Sequence, residues 1–132
     1  MARWPHVTRI RVPWGDLDAA GHVNNARYFS YFETARTDLY LQLRGGDSWQ
    51  ELDIILASTR CDYRSAARFH DDLDVRVRPG KIGTTSFELL YEIRAADGRL
   101  VAEGQSTQVC YDYKAEAKKP IPPSVRAALE AA

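Results

Sequence analysis

Between about Asn25 and Leu43 the apolar residues recur with the period of a helix. Tyr28, Phe32, Ala35, Leu39 and Leu43 follow one another at steps of four, three, four and four. Those steps place them on one face, widened by Phe29 and Tyr31, with Arg27, Ser30, Thr34, Asp38 and Gln42 mainly on the other. Asn24 is a good N-cap candidate, and Gly45-Gly46 supplies the stop. At ~1.5 Å per residue such a helix runs roughly 28 Å. A stripe of that length needs a cover, and the rest of the chain offers mainly strands.

The strand signals are alternation and turns. Thr8, Ile10 and Val12 share one face of a short strand, with Arg9 and Arg11 on the other. Ile54 to Tyr63 reads as extended. Leu73, Val75 and Val77 alternate with Asp74, Arg76 and Arg78, and Pro79-Gly80 interrupts that strand as a bulge or bend does. Phe87, Leu89, Tyr91 and Ile93 alternate with Glu88, Leu90, Glu92 and Arg94. Asp97-Gly98 is a hairpin signal, and Val101 to Tyr113 reads as the last long strand, with Val101, Val109 and Tyr111 on one phase. The tail KKPIPPSVRAALEAA predicts an extended proline segment and a short helix capped by Ser124. Short connections favour antiparallel pairing. The expectation is an α+β fold: five or six antiparallel strands around one long central helix, in a single domain over residues 1–132. One helix cannot also protect the sheet's edges, so the sheet is expected to extend by pairing with a second copy.

Composition narrows the function. Eighteen basic residues balance eighteen acidic ones, so no global field recruits nucleic acid or an anionic membrane. No apolar run reaches the ~20 residues of a membrane span, and the first residues, MARWPHVTRIRV, lack the apolar core of a signal peptide. Cys61 and Cys110 lie far apart and form no zinc pattern; buried thiols in a reducing cytoplasm are the expectation. No His, Asp or Glu spacing suggests a metal site, no Gly-x-Ser-x-Gly elbow suggests a serine hydrolase, and no Gly-x-Gly-x-x-Gly suggests a dinucleotide.

The stretch GDLDAAGHVNNARYFSYFE, from Gly15 to Glu33, holds more polar residues than a turn and a cap require. Asp18 sits in the turn and Asn25 near the helix start. Free N–H groups there carry partial positive charge and suit an oxyanion. A carboxylate beside such donors can attack a carbonyl, or activate water to do so, while the donors hold the oxygen that becomes negative. The plain rival is an Asp that only bonds the backbone of its own turn.

The stretch resembles the hotdog-fold acyl-thioester hydrolases, in the branch related to 4-hydroxybenzoyl-CoA thioesterase. The branch pattern, roughly D-x-D-x-x-G-H-V-N-N-x-x-Y and then E-x-A-R, stands here as Asp16, Asp18, Gly21, His22, Val23, Asn24, Asn25 and Tyr28, then Glu33, Ala35 and Arg36. Arg68-Phe69, the Ile82 to Phe87 stretch and Lys119-Pro120-Ile121-Pro122 continue the likeness. It implies two subunits joined edge to edge, as a homodimer or homotetramer, with active sites at their interface. It puts the catalytic carboxylate, nucleophile or general base, on Asp18 and the carbonyl-polarising N–H on Asn25. Asp16 shapes the turn. His22 is a base, a substrate-orienting donor or a half-buried structural histidine.

The substrate-binding candidates are Asn24, which also caps the helix, Tyr28 in the aromatic stripe, Ser58 and Thr59 facing the partner's Asp18, and Lys81. Glu33 and Arg36 read as a helix-surface ion pair. The relative with an aromatic acyl substrate has bulky aromatics where this chain has Asn24-Asn25, so a fatty acyl thioester is expected. It also has basic residues for the CoA phosphates where Gly83, Thr84 and Thr85 stand. Lys81, Arg78, Arg64 and Arg60 are the substitutes, and an acyl-carrier-protein thioester is the alternative substrate. A hotdog module that binds acyl thioesters without turnover is the rival function. Coenzyme A as part of the substrate is the only cofactor implied.

Overall fold

The computed structural model describes residues 4–46, 50 and 52–132. In chain order these form β1 (His6–Arg11), α1 (Arg27–Leu43), β2 (Ile54–Tyr63), β3 (Asp72–Ile82), β4 (Ser86–Ala95), β5 (Leu100–Asp112), β6 (Ala117–Lys118) and α2 (Pro123–Ala131), with one 3-10 turn at Trp14–Asp16. The strands make one antiparallel sheet in the order β1-β3-β4-β5-β2, and the two-residue β6 pairs with the end of β5.

Both ends of α1 have a local cause. The helix starts two residues later than its periodicity suggests. Asn24 does not cap it: Asn24 Oδ1 accepts the Ala26 N–H at 2.9 Å and its carbonyl accepts the Arg27 N–H at 2.9 Å. That is an Asx turn leading into the helix, a competing use of the same side chain. At the other end Gly45 takes φ +80, its N–H bonds the Gln42 carbonyl, and the Gly46 N–H bonds that of Leu41. This pattern needs the left-handed conformation that glycine adopts without strain. The 17 helical residues span ~26 Å. A second helix shares the layer: α2 buries Val125 and Leu129 and packs on α1 and β3. Two helices, not one alone, therefore cover the sheet. Ser124 does not cap α2; Pro122 stands at the cap and Pro123 occupies the first turn, where a missing N–H costs nothing.

One sheet face is the core. Leu73, Val75 and Val77 of β3 and Phe87, Leu89, Tyr91 and Ile93 of β4 are buried on it. The phase expected for β5 does not hold. Between Ile93 and Arg94 the pairing skips a residue, so Val101 and Ala102 are both buried and the alternation flips. Beyond the bulge Ser106, Gln108 and Cys110 are buried, while Val109 and Tyr111 are only half-buried. The bulge expected at Pro79-Gly80 is present as a register shift between Pro79 and Ile82.

Phe32 of α1 stacks on Tyr91 with ring centroids 4.4 Å apart, over Gly104 of β5. A Cβ at Gly104 would lie 2.5 Å from Phe32 Cζ and 2.9 Å from the Arg60 carbonyl. Arg36, one turn on, is buried rather than at the surface. It donates to Tyr91 Oη at 3.3 Å and pairs at 3.7 Å with the exposed Glu33. At the far end Asp53, 8% exposed, accepts the Tyr40 hydroxyl at 2.6 Å and meets Arg44 at 3.0 Å and Lys119 at 2.5 Å. It ties the end of α1, the start of β2 and the exit from β6.

This packing can be tested at two positions. Gly104→Ala should lose about 2–3 kcal/mol in urea denaturation, because a ring and a carbonyl must both yield. Burial raises the Asp53 pKa, but hydrogen bonds from Lys119 and Tyr40 and the charge of Arg44 outweigh it and hold the carboxyl below its ordinary value. A depressed folded pKa stabilises above the unfolded value and ceases to do so as pH falls through the folded one. Asp53→Asn should therefore cost about 3 kcal/mol at neutral pH. The gap to wild type should narrow only below about pH 4. A pH-independent gap in denaturant titrations would contradict the ion-pair account.

Candidate active site

The turn ahead of α1 is a small closed structure. Leu17 bridges Val23, the Asp18 N–H bonds the His22 carbonyl at 2.8 Å, and the Gly21 N–H returns to the Asp18 carbonyl at 3.0 Å. Gly21 takes φ +80, which a side chain would resist. Asp18 Oδ1 accepts the Ala20 N–H at 2.9 Å and, more weakly, the His22 N–H at 3.4 Å. No partner among the described residues engages Oδ2. One carboxylate oxygen is thus held by the turn and the other is free of protein partners among the described residues.

Asp16 holds the turn to the helix. Its Oδ2 accepts the Tyr31 hydroxyl at 2.7 Å, its Oδ1 lies 3.6 Å from Arg27 Nε, and its carbonyl accepts the Asn24 N–H at 2.9 Å. Burial, then the bond to Asp16, pushes the Tyr31 hydroxyl's pKa up, so it donates at all ordinary pH. From the other side the Val23 N–H bonds the Ala67 carbonyl, and His22 bridges Arg68.

Asp18, His22, Asn25 and Tyr28 line one cavity of about 280 Å³, with Tyr63, Arg64, Ser65 and Ala66 on its far wall. The Asn25 N–H has no acceptor among the described residues, and its carbonyl is held by the Tyr63 hydroxyl at 2.8 Å. Tyr28 is buried, and burial raises its pKa; its ring meets that of Tyr63 edge to face at 5.1 Å. Its hydroxyl accepts the Ala67 N–H at 3.3 Å. His22 is exposed at the rim, not half-buried.

The remaining candidates lie elsewhere in the chain. The Asn24 side chain is spent on the Asx turn, and Asn24 does not line the cavity that Asp18 and Asn25 share. Ser58 and Thr59 are exposed in the middle of β2, where Thr59 donates to the Gln105 carbonyl at 3.4 Å. Lys81 lies near the far end of β3, nine residues beyond Asp72 and so roughly 30 Å along the strand. Among the described residues no three His, Cys, Asp or Glu side chains cluster as metal ligands, and no helix is long and apolar enough to cross a membrane. Cys61 and Cys110 are free thiols, and burial pushes Cys61 up to about 11.

Tyr63, Ser65 and Ala66 escaped the sequence reading as site residues, and Arg64 entered it only as a candidate for the CoA phosphates. The only signal was that β2 ends at Tyr63, and the return of that end to the helix start is a matter of sheet order.

An antiparallel sheet filled by a helix whose first turn faces a carboxylate is the architecture of hotdog thioesterases. A thioesterase from Thermus thermophilus, solved with coenzyme A and Zn, is 28% identical, with TM-score 0.87 over 96% of this chain and 98% of that one. The profile of the thioesterase-like superfamily matches residues 12–129, and the chain belongs to that family. It is 31% identical to the long-chain acyl-CoA thioesterase FadM of Escherichia coli, over 93% of this chain and 96% of that protein. It is 30% identical to the acyl-CoA thioesterase YbgC of Haemophilus influenzae, over 91% and 90%.

If Tyr31 anchors the turn, Tyr31→Phe should cost about 1.5 kcal/mol, the worth of a hydrogen bond to a charged group. Faster amide exchange at Asn24, whose N–H bonds Asp16, would show that the loss is local to the turn.

Proposed function

We propose that the chain hydrolyses fatty acyl-CoA thioesters to free acid and coenzyme A. The observation that carries this reading is that Asp18 and Asn25, whose N–H has no acceptor among the described residues, line one cavity. A thioester carbonyl placed there has a carboxylate on one side and a positive N–H on the other. Asp18, as nucleophile or as base on water, supplies the attack; the Asn25 N–H and the field of α1 stabilise the oxyanion. The Tyr63 hydroxyl on the Asn25 carbonyl fixes the orientation of the adjoining chain. The thiol leaves as thiolate, so no further cofactor is needed. The likeness to a long-chain acyl-CoA thioesterase supports a fatty acyl group, and such soluble chemistry suits the cytoplasm.

A second copy belongs beside β2. Both outer strands leave backbone groups unpaired, but they are defended differently. β1 carries Arg9 and Arg11, each paired with an Asp of β3. β2 confines its charges, Arg60 and Asp62, to its second half; its first half, Ile55-Leu56-Ala57-Ser58-Thr59, has none, and Ile55 and Leu56 are each 43% exposed. An edge with an uncharged, exposed apolar half of that kind suits pairing. A copy there would bring the partner's Ser58 and Thr59 toward the site, and its Lys81 toward the phosphates of coenzyme A.

The test is thiol release from acyl-CoAs of increasing length, with an acyl-carrier protein run beside them. Asp18→Asn and Asp18→Ala should each lower kcat by about 100-fold or more with the fold retained. Turnover that survives both substitutions would remove Asp18 from the chemistry. Binding of acyl-CoA without release by wild type would favour the non-catalytic module.

A further inference from the structure

Asp18 is shared by two cavities. The first, of about 280 Å³, holds Asn25 and Tyr63. The second, of about 550 Å³, lies on the other side of the turn, lined by Trp14, Leu17, Ala19, Gly21, Arg68 and Phe69. A thioester whose carbonyl sits at Asp18 has two arms, and each must leave in its own direction.

The walls differ in kind. The smaller cavity is rich in hydrogen-bonding groups: the His22 ring, the Asn25 amide, the Tyr63 hydroxyl and Arg64. The larger is walled by two aromatic rings and a leucine over small residues. Trp14 is 72% exposed and Phe69 42%. Their rings meet edge to face with centroids 5.4 Å apart, and Phe69 in turn lies 3.9 Å from the His70 ring. The rings thus hold one another in place at the mouth of the cavity. The Arg68 guanidinium has no acceptor among the described residues, and its stem extends the wall. Two large aromatics left this open beside a carboxylate form a surface that something apolar covers.

We infer that the acyl arm of the substrate lies in the Trp14–Leu17–Phe69 cavity, and the thiol arm leaves through the Tyr63–Arg64 side. This rests on the thioesterase reading. The thiol arm carries two amides, which need partners when they leave water; an acyl chain carries none and gains by covering rings. The size also fits, since ~300–1,000 Å³ is the usual range of small-molecule cavities. Trp14 and Phe69 then set which acyl groups are accepted, and neither takes part in bond breaking.

The experiment uses S-(2-oxoalkyl)-CoA ketones, which keep the carbonyl and the whole thiol arm but cannot be hydrolysed. A short 2-oxopropyl and a long 2-oxododecyl ketone are titrated calorimetrically into wild type, Trp14→Ala, Phe69→Ala and Trp14→Phe. The expected result is about tenfold weaker binding of the long ketone to both alanine variants, the short ketone unchanged, and most of the loss restored in Trp14→Phe. Equal losses for both ketones would place the thiol arm in this cavity, and no loss for the long ketone would leave it unused. Either result overturns the inference. So would a change of assembly in Trp14→Ala by sedimentation, because a second copy would then be the cover. Wild type that binds the long ketone but releases no thiol from the matching thioester would sink the hydrolase reading and leave the acyl cavity standing. Failure to bind either ketone would overturn both.

Discussion

The seating of Phe32 over Gly104 sets the distance between helix and sheet. Phe32 reaches the sheet there because β5 presents no side chain, and Tyr91 of β4 stacks on the ring from beside it. That contact fixes the height of α1 above the strands and its rotation about its own axis. Rotation matters because it carries Arg36, one turn on, inward to the Tyr91 hydroxyl, which also bonds Ser106. It also carries Tyr31 to Asp16, at the end where the Asp16–Asn25 turn is attached. A helix seated differently would bury other groups and release the turn.

From that seat the site is assembled by short polar links. Tyr31 holds Asp16, Asp16 holds Asn24, and Asn24 folds back on the first turn of the helix. The links consume the side chains of Asp16 and Asn24 and leave one oxygen of Asp18 and the N–H of Asn25 free. The division of labour among neighbouring residues of like chemistry is therefore set by geometry. Asp16 and Asn24 spend their side chains on the turn, while Asp18 and Asn25 are only partly engaged and line the cavity.

The core is less apolar than its alternating strands advertise. After the bulge in β5 the inward positions are Gly104, Ser106 and Gln108, and the two side-chain polar atoms of Gln108 are buried without a partner. Buried amides without partners are costly. Here they lie on β5, the strand next to the outer strand β2.

Much of this was legible from the chain alone. The helix stripe from Tyr28 to Leu39, the glycine stop, β2, the alternation of β3 and β4, and the turn with its surplus of polar residues are all short-range patterns, and short-range patterns survive in a sequence. The family likeness was carried by the residues of that same turn. Tertiary structure alone decided that Asn24 would make an Asx turn rather than a cap, and that a bulge at Val101 would turn Ser106 and Gln108 inward. It also brought Tyr63 back to Asn25 and set Trp14 against Phe69 across Asp18. All of these but the Asx turn join residues far apart in the chain or depend on one skipped pairing. Periodicity records which face a residue prefers, and only the closed sheet determines what that face meets.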